Sequence, residues 1–131
     1  MIYLDSAALV KMIRPEAATP ALRDWLNARP DAMLMSSVLA EVEVTRALRR
    51  VAPEALPAIP HALARLYRVE IGPSIRAAAG LIGNAAVRTL DAIHLATAQS
   101  VGVELEALVS YDQRLLRAGD ELGLPTASPG A

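Results

Sequence analysis

Short apolar runs alternate with longer stretches of helical period along the whole chain. Residues 2–5 open with Ile2, Tyr3 and Leu4 and close on Asp5, which predicts a strand; residues 7–13 then read as a helix that stops before Pro15. Ala21, Leu22, Trp25 and Leu26 recur at helical spacing within 17–28, a segment closed by Pro30. A second apolar run at 33–36 leads into a long helix over 37–51, marked by Val38, Leu39, Val42, Leu48 and Val51 and ended by Pro53. Pro57 and Pro60 interrupt 54–66, so an irregular connection leading into a helix is expected there. Tyr67, Val69 and Ile71 alternate with Arg68 and Glu70 at the period of a half-buried strand, Gly72-Pro73 ends it, and 74–84 is helical. Thr89 offers an N-cap to an Ala-rich helix over 90–101. Residues 107–110 form an apolar strand, Tyr111-Asp112 opens a helix to 118, 124–126 forms a last strand, and 127–131 is a loose tail.

Strands separated by helices argue for an α/β domain with a mainly parallel sheet, because parallel neighbours need crossover connections. The 131 residues suit one domain of ordinary size, taken as 1–126 with the tail at 127–131. No internal repeat or linker divides it. In such sheets ligands sit beyond the carboxyl ends of the strands. Here those ends are acidic.

Charge and composition narrow the chemistry. Thirteen Lys and Arg against fourteen Asp and Glu leave a net charge of −1, which removes a globally basic nucleic-acid coat but leaves room for a local Arg cluster. Lys11 is the sole lysine. The absence of Cys excludes disulfides, thiolate zinc sites and Cys nucleophiles. With no basic leader before Asp5 and no apolar run of the ~18 residues a membrane span needs, the expected place is the cytosol, with no membrane partner. With 3% aromatic residues and no Phe, there are few platforms on which bases could stack. An aspartyl phosphatase of the haloacid dehalogenase type would need a second acid where Ala7 stands and a later Lys, and no P-loop motif occurs.

Four acids remain. Asp5 ends the first strand, Glu43 lies in the helix after the second, Asp91 opens a later helix and Asp112 follows the strand at 107–110. Taken singly, each has a structural explanation: Asp5 and Asp112 as N-caps, Asp91 at a helix N-terminus, Glu43 paired with Arg46 at i,i+3. Their surroundings are harder to explain that way, since IYLDSAALV and TLDAIHLATA are strongly apolar and an unpaired charge there is costly. A hard divalent cation, Mg²⁺ or Mn²⁺, is the natural partner for carboxylates gathered at one sheet end. Such an ion keeps waters, so the implied reaction is hydrolytic phosphoryl transfer.

The stretches MIYLDSAALVKM, SSVLAEVEVTRALRR, TLDAIHLATA and VSYDQRLLRAG stand in the order found in the PIN-domain nucleases. The chain resembles that family over essentially its whole length, and more closely its VapC toxins of type II toxin–antitoxin modules. The resemblance implies an α/β/α domain with a parallel sheet and an Mg²⁺-dependent endoribonuclease site. It also implies a VapB-like antitoxin covering that site and a homodimer, with RNA, such as tRNA or rRNA, as substrate. By position, Asp5 would be the first metal ligand, Asp91 the third acid and Asp112 the fourth, the last often acting through water. Glu41 and Glu43 are two positions apart and lie on different helix faces, so only one can enter the site. The family pattern before Arg46-Ala47 selects Glu43 and leaves Glu41 exposed.

Many relatives have Thr or Asn where this chain has Ser6, whose hydroxyl can still orient Asp5 or a coordinated water. Ser110 is a second such donor. Lys11, Arg14, Arg46, Arg49 and Arg50 stand close to the first two acids and are candidates to guide an RNA backbone. The competing class is a non-catalytic PIN-like interaction module, against which the presence of all four acids argues. His94, three positions after Asp91, reads as a half-buried structural residue of an apolar helix rather than as a catalytic partner. Ser36 and Ser37 read as capping residues, His61 has no evident partner, and Trp25 reads as core.

Overall fold

A strand of three apolar residues with no polar face is stable only when both its faces are covered. That is the position of β1 (Ile2–Leu4), whose residues are all buried. The structure, a computed structural model, describes residues 1–131. Four further strands follow: β2 (Leu34–Ser37), β3 (Tyr67–Val69), β4 (Ala107–Val109) and β5 (Thr126–Ala127). They form one parallel sheet of order β3-β2-β1-β4-β5, with Tyr3 beside Met35 on one side and Leu108 on the other.

The helices are α1 (Ser6–Ile13), α2 (Thr19–Asn27), α3 (Leu39–Val51), α4 (Ile59–Ala64), α5 (Pro73–Leu81), α6 (Thr89–Gln99) and α7 (Gln113–Glu121). Period-two alternation along the central strand sorts the core into two layers. Ile2 and Leu4 face Leu9, Leu22, Val44, Leu48 and Leu63 from α1 to α4. Tyr3 points the other way, into a cluster with Leu95, Ala98 and Leu115 from α6 and α7. Gly119 lets α7 approach closely: a Cβ there would meet Leu108 at 3.2 Å and Thr126 at 3.1 Å. The fold is therefore a single α/β/α domain, as the alternating pattern predicts.

The chain adds β2 and β3 on one side of β1, then returns to place β4 on the other. This reversal parts the connections leaving β1 and β4 and opens a crevice at their carboxyl ends. No helix is long and apolar enough to cross a membrane.

Several local expectations are corrected. Thr89 is the first residue of α6 rather than its cap; the capping position is Arg88, in extended conformation and without a side-chain bond. The last strand lies at Thr126–Ala127 instead of 124–126, because pairing with β4 sets its register. Residues 127–131 are not loose: Ser110 N donates to Ala127 O, and Tyr111 Oη donates to Pro129 O at 2.7 Å. Trp25 packs against the core as read, but from its margin: it is half-buried, with the Arg29 guanidinium 3.8 Å from its ring centre. The interrupted 54–66 segment resolves as expected, into a 3₁₀ turn over Pro53–Ala58 followed by α4. Val38 holds the capping position of α3 without a side-chain bond; Ser37, one residue earlier, accepts from Leu39 N at 3.1 Å, and Ser36, buried in β2, caps nothing.

Candidate active site

Asp5 leaves β1 in extended conformation and caps α1, its Oδ1 accepting from Ala8 N at 2.9 Å. Its other oxygen accepts from Ser110 Oγ at the end of β4. Ser110 is shared, because its Oγ also accepts from Asp112 N at 3.0 Å. One buried hydroxyl thus ties the carboxyl ends of two adjacent strands together. Asp5 is only 4% exposed. Burial pushes its carboxyl up to about 6 and the negative charge of Asp112 adds to this, against the lowering effect of Ser110, Ala8 and His94.

Glu43 reaches the same edge from α3, on the face that also buries Ala40 and Val44. Its Oε1 accepts from Ser6 Oγ at 2.6 Å and lies 2.6 Å from His94 Nε2. Burial would raise this carboxyl, but the hydrogen bonds from His94 and Ser6 outweigh it, so the group stays below its usual range. The pairing with Arg46 that would have explained Glu43 as a surface residue does not form. Glu41 turns away to Arg68, 3.3 Å distant.

Asp91 lies in the first turn of α6, and Asp112 caps α7 by accepting from Arg114 N at 2.9 Å. Both stand where a helix N-terminus favours negative charge. Burial nevertheless raises the Asp91 carboxyl, helped by the charges of Asp112 and Glu43 and opposed by His94 and Arg114. The four acids come from four separate segments, and the charge of Asp112 acts on both Asp5 and Asp91 while that of Glu43 acts on Asp91.

This donor set suits a hard cation: carboxylate oxygens at one edge, with Asp5 and Asp91 both raised by burial and by the charge of Asp112. No three of the acid and imidazole side chains close into a ready-made cage.

The predicted cations divide into two sets. Lys11 is bonded to Glu16 and sits 4.8 Å over the Tyr111 ring, while Arg14 lies 3.5 Å from the same glutamate. Lys11 shares a shallow groove with Ser6 and Glu43; Arg14 does not line it. Arg46, Arg49 and Arg50 line an open groove of about 850 Å³ together with Glu43. Arg88 completes that groove, and it also borders Asp91, Arg114 and Arg117 on the other side. It was missed from the sequence, although its place three residues before Asp91 was a signal.

Sequence reasoning also misjudged His94. It is 3% exposed rather than half-buried, and besides Glu43 it contacts Tyr3, whose Oη is 2.6 Å from Nδ1. Tyr3 was read only as strand core.

The fold and the site together define a parallel α/β domain with acidic side chains at its topological switch point. The family model described as PIN domain matches residues 2–121. Ribonuclease VapC35 of Mycobacterium tuberculosis (strain ATCC 25618 / H37Rv) is 52% identical over 132 residues, 99% of this chain and 98% of that protein. Ribonuclease VapC46 of the same strain is 42% identical over 128 residues, covering 98% of this chain and 97% of its own. Ribonuclease VapC47 of strain CDC 1551 / Oshkosh is 40% identical over 136 residues, covering 100% and 98%. The chain belongs to the PIN-domain family, and within it to the VapC type.

Proposed function

We propose that the protein is a metal-dependent endoribonuclease and the toxin of a type II toxin–antitoxin module. The observation that carries this reading is that Asp5 and Asp112 meet on one hydroxyl, Ser110, at the carboxyl ends of β1 and β4, with the charge of Asp112 raising the carboxyls of Asp5 and Asp91 and that of Glu43 adding at Asp91. The names of the VapC relatives support it.

In this reading Asp5 and Asp91 hold Mg²⁺, for which Mn²⁺ can substitute, and Glu43 and Asp112 assist directly or through water. A bound ion of this kind supplies a more acidic water and counter-charge for the phosphodiester. Asp5 keeps its orientation through Ser110 and Ala8, and Glu43 through Ser6 and His94. Water attacks the phosphorus, the P–O bond to the leaving ribose oxygen breaks, and the proton of the water passes to a carboxylate of the cluster. Arg46, Arg49, Arg50 and Arg88 grip the RNA backbone as phosphate forks, with Lys11 on the opposite flank of Glu43 and Arg14 further out. A VapB-like antitoxin covers the acidic crevice, the toxin acts in the cytoplasm, and it pairs as a homodimer.

The test is cleavage of a panel of tRNAs and structured rRNA fragments with Mg²⁺, with Mn²⁺ or with chelator, beside Asp5→Asn and Asp91→Asn. Metal-dependent cutting lost in both folded variants is the expected result. Equal cutting by all three proteins would remove the acidic site from the mechanism. If none of them cut any RNA, the protein would be a binding module instead.

A further inference from the structure

Tyr3, His94 and Glu43 form a chain of short contacts that crosses from the buried face of β1 to the acidic edge. Tyr3 is fully buried and His94 nearly so, and their rings meet edge to face with centroids 5.8 Å apart. An ionised glutamate only accepts hydrogen bonds, so the 2.6 Å contact requires the proton on Nε2 of His94. In the neutral imidazole Nδ1 is then the acceptor, and the phenolic hydroxyl of Tyr3 is the donor that matches it at 2.6 Å. The order of donation is Tyr3 to His94 to Glu43. Ser6 Oγ donates to the same glutamate oxygen, so Oε1 carries two protein donors. Oε2 carries none, and it is the oxygen left for the acidic crevice.

We propose that Tyr3 is a positioning residue which, by donating to His94 Nδ1, fixes the imidazole tautomer and thereby selects Oε2 as the working oxygen of Glu43. The residue touches neither substrate nor ion and acts only through His94. The inference rests on Glu43 belonging to the nuclease site proposed above. Its physical basis is that an imidazole with one nitrogen committed to a donor offers a single N–H to its other neighbour. Removing the hydroxyl of Tyr3 leaves Nδ1 without its donor, so that the tautomer and the ring orientation are held by Glu43 alone and the Nε2–H bond to Glu43 weakens.

Tyr3→Phe keeps the ring and deletes only the donor. In ¹⁵N-labelled, metal-free wild-type protein, long-range ¹H–¹⁵N spectra are expected to show His94 with its proton on Nε2. In Tyr3→Phe the two nitrogens should shift toward the values of a tautomer mixture. On a cleaved RNA, kcat should fall roughly tenfold with KM unchanged, in the range for groups that orient metal ligands. Mn²⁺ titration followed by water-proton relaxation should show binding weakened by a similar factor. His94→Gln, whose amide N–H can replace Nε2–H, should retain several times the Mn²⁺ affinity and kcat of His94→Leu, provided both melt cooperatively.

An unchanged tautomer together with unchanged Mn²⁺ affinity in Tyr3→Phe overturns the proposal, as do equally impaired His94→Gln and His94→Leu. If Tyr3→Phe fails to fold, the His94 pair decides. Wild-type protein that cuts no RNA would sink the nuclease reading alone, because the tautomer and Mn²⁺ measurements need no cleavage and still separate the two outcomes.

Discussion

The acidic crevice has two unlike walls. Asp5 and Glu43 form the inner one, set against the sheet and α3, and their charges are met by fixed protein donors: Ala8 N and Ser110 Oγ for Asp5, Ser6 Oγ and His94 Nε2 for Glu43. Asp91 and Asp112 form the outer one, half-exposed at the beginnings of α6 and α7, where helix dipoles and water do the same work. Even the inner wall is uneven. Asp5 is pushed up to about 6 because burial wins over its bonds, whereas Glu43 stays low because its bonds win over burial. An acidic edge can thus hold orientation on one side and solvent access on the other.

The largest effect expected from this contrast lies in cleavage. Asp91→Asn should lower metal-dependent RNA cutting by more than about a hundredfold, beyond the range for groups that only orient ligands, while its melting temperature in chelator stays close to wild type. A large loss of stability in that variant would mean the outer wall is as structural as the inner one.

Stability should respond in the opposite sense at Asp5. Its native pKa of about 6 lies above the usual 3.8, so the folded protein holds the proton more tightly than the unfolded chain does. The stabilising effect of that proton is complete below about pH 4 and is lost as pH rises through 6. In metal-free buffer at pH 7.5, Asp5→Asn should therefore be more stable than wild type by about 2 kcal/mol, and the gain should vanish near pH 4. Denaturant melts at the two pH values measure it. A destabilised variant at both would show that the bonds to Ser110 and Ala8 outweigh burial.

Ser110→Ala should produce a smaller change, a loss of about 1 kcal/mol in chelator, because it leaves an oxygen of Asp5 and the N–H of Asp112 without their shared partner. Ser6→Ala, which removes one of two donors on a single glutamate oxygen, should cost less in the same melts. Reversal of that order would place the stronger constraint at Glu43.

Much of the architecture was readable before any coordinates. The run Ile2-Tyr3-Leu4 has no polar face, the acids Asp5 and Asp112 follow apolar runs, and Pro53, Pro57 and Pro60 interrupt the helical pattern where the 3₁₀ turn appears. The choice of Glu43 over Glu41 followed from a helical period and the family pattern, and the structure turns Glu41 to Arg68. Thr89 failed as a cap because any Ser or Thr before a helical run looks like one locally, whereas the backbone enters α6 one residue earlier. His94 failed for a different reason. Its i,i+3 spacing pointed to Asp91, and nothing local indicated that α3 would bring Glu43 to its other side.

What the sequence by itself determined is the set of elements and the chemistry at their ends. Side-chain period and chain-breaking residues act over a few positions, and they can be read without knowing what lies opposite. The bonds that orient the acids are decided only in the folded domain: Ser110 to Asp5 spans 105 positions, Tyr3 to His94 spans 91, and Glu43 to His94 spans 51. Each depends on β1 lying between β2 and β4 in parallel register, with α3 and α6 on opposite faces of the sheet. Local propensity cannot specify a contact between groups so far apart along the chain, because the strands and helices that carry them meet only when the sheet has closed.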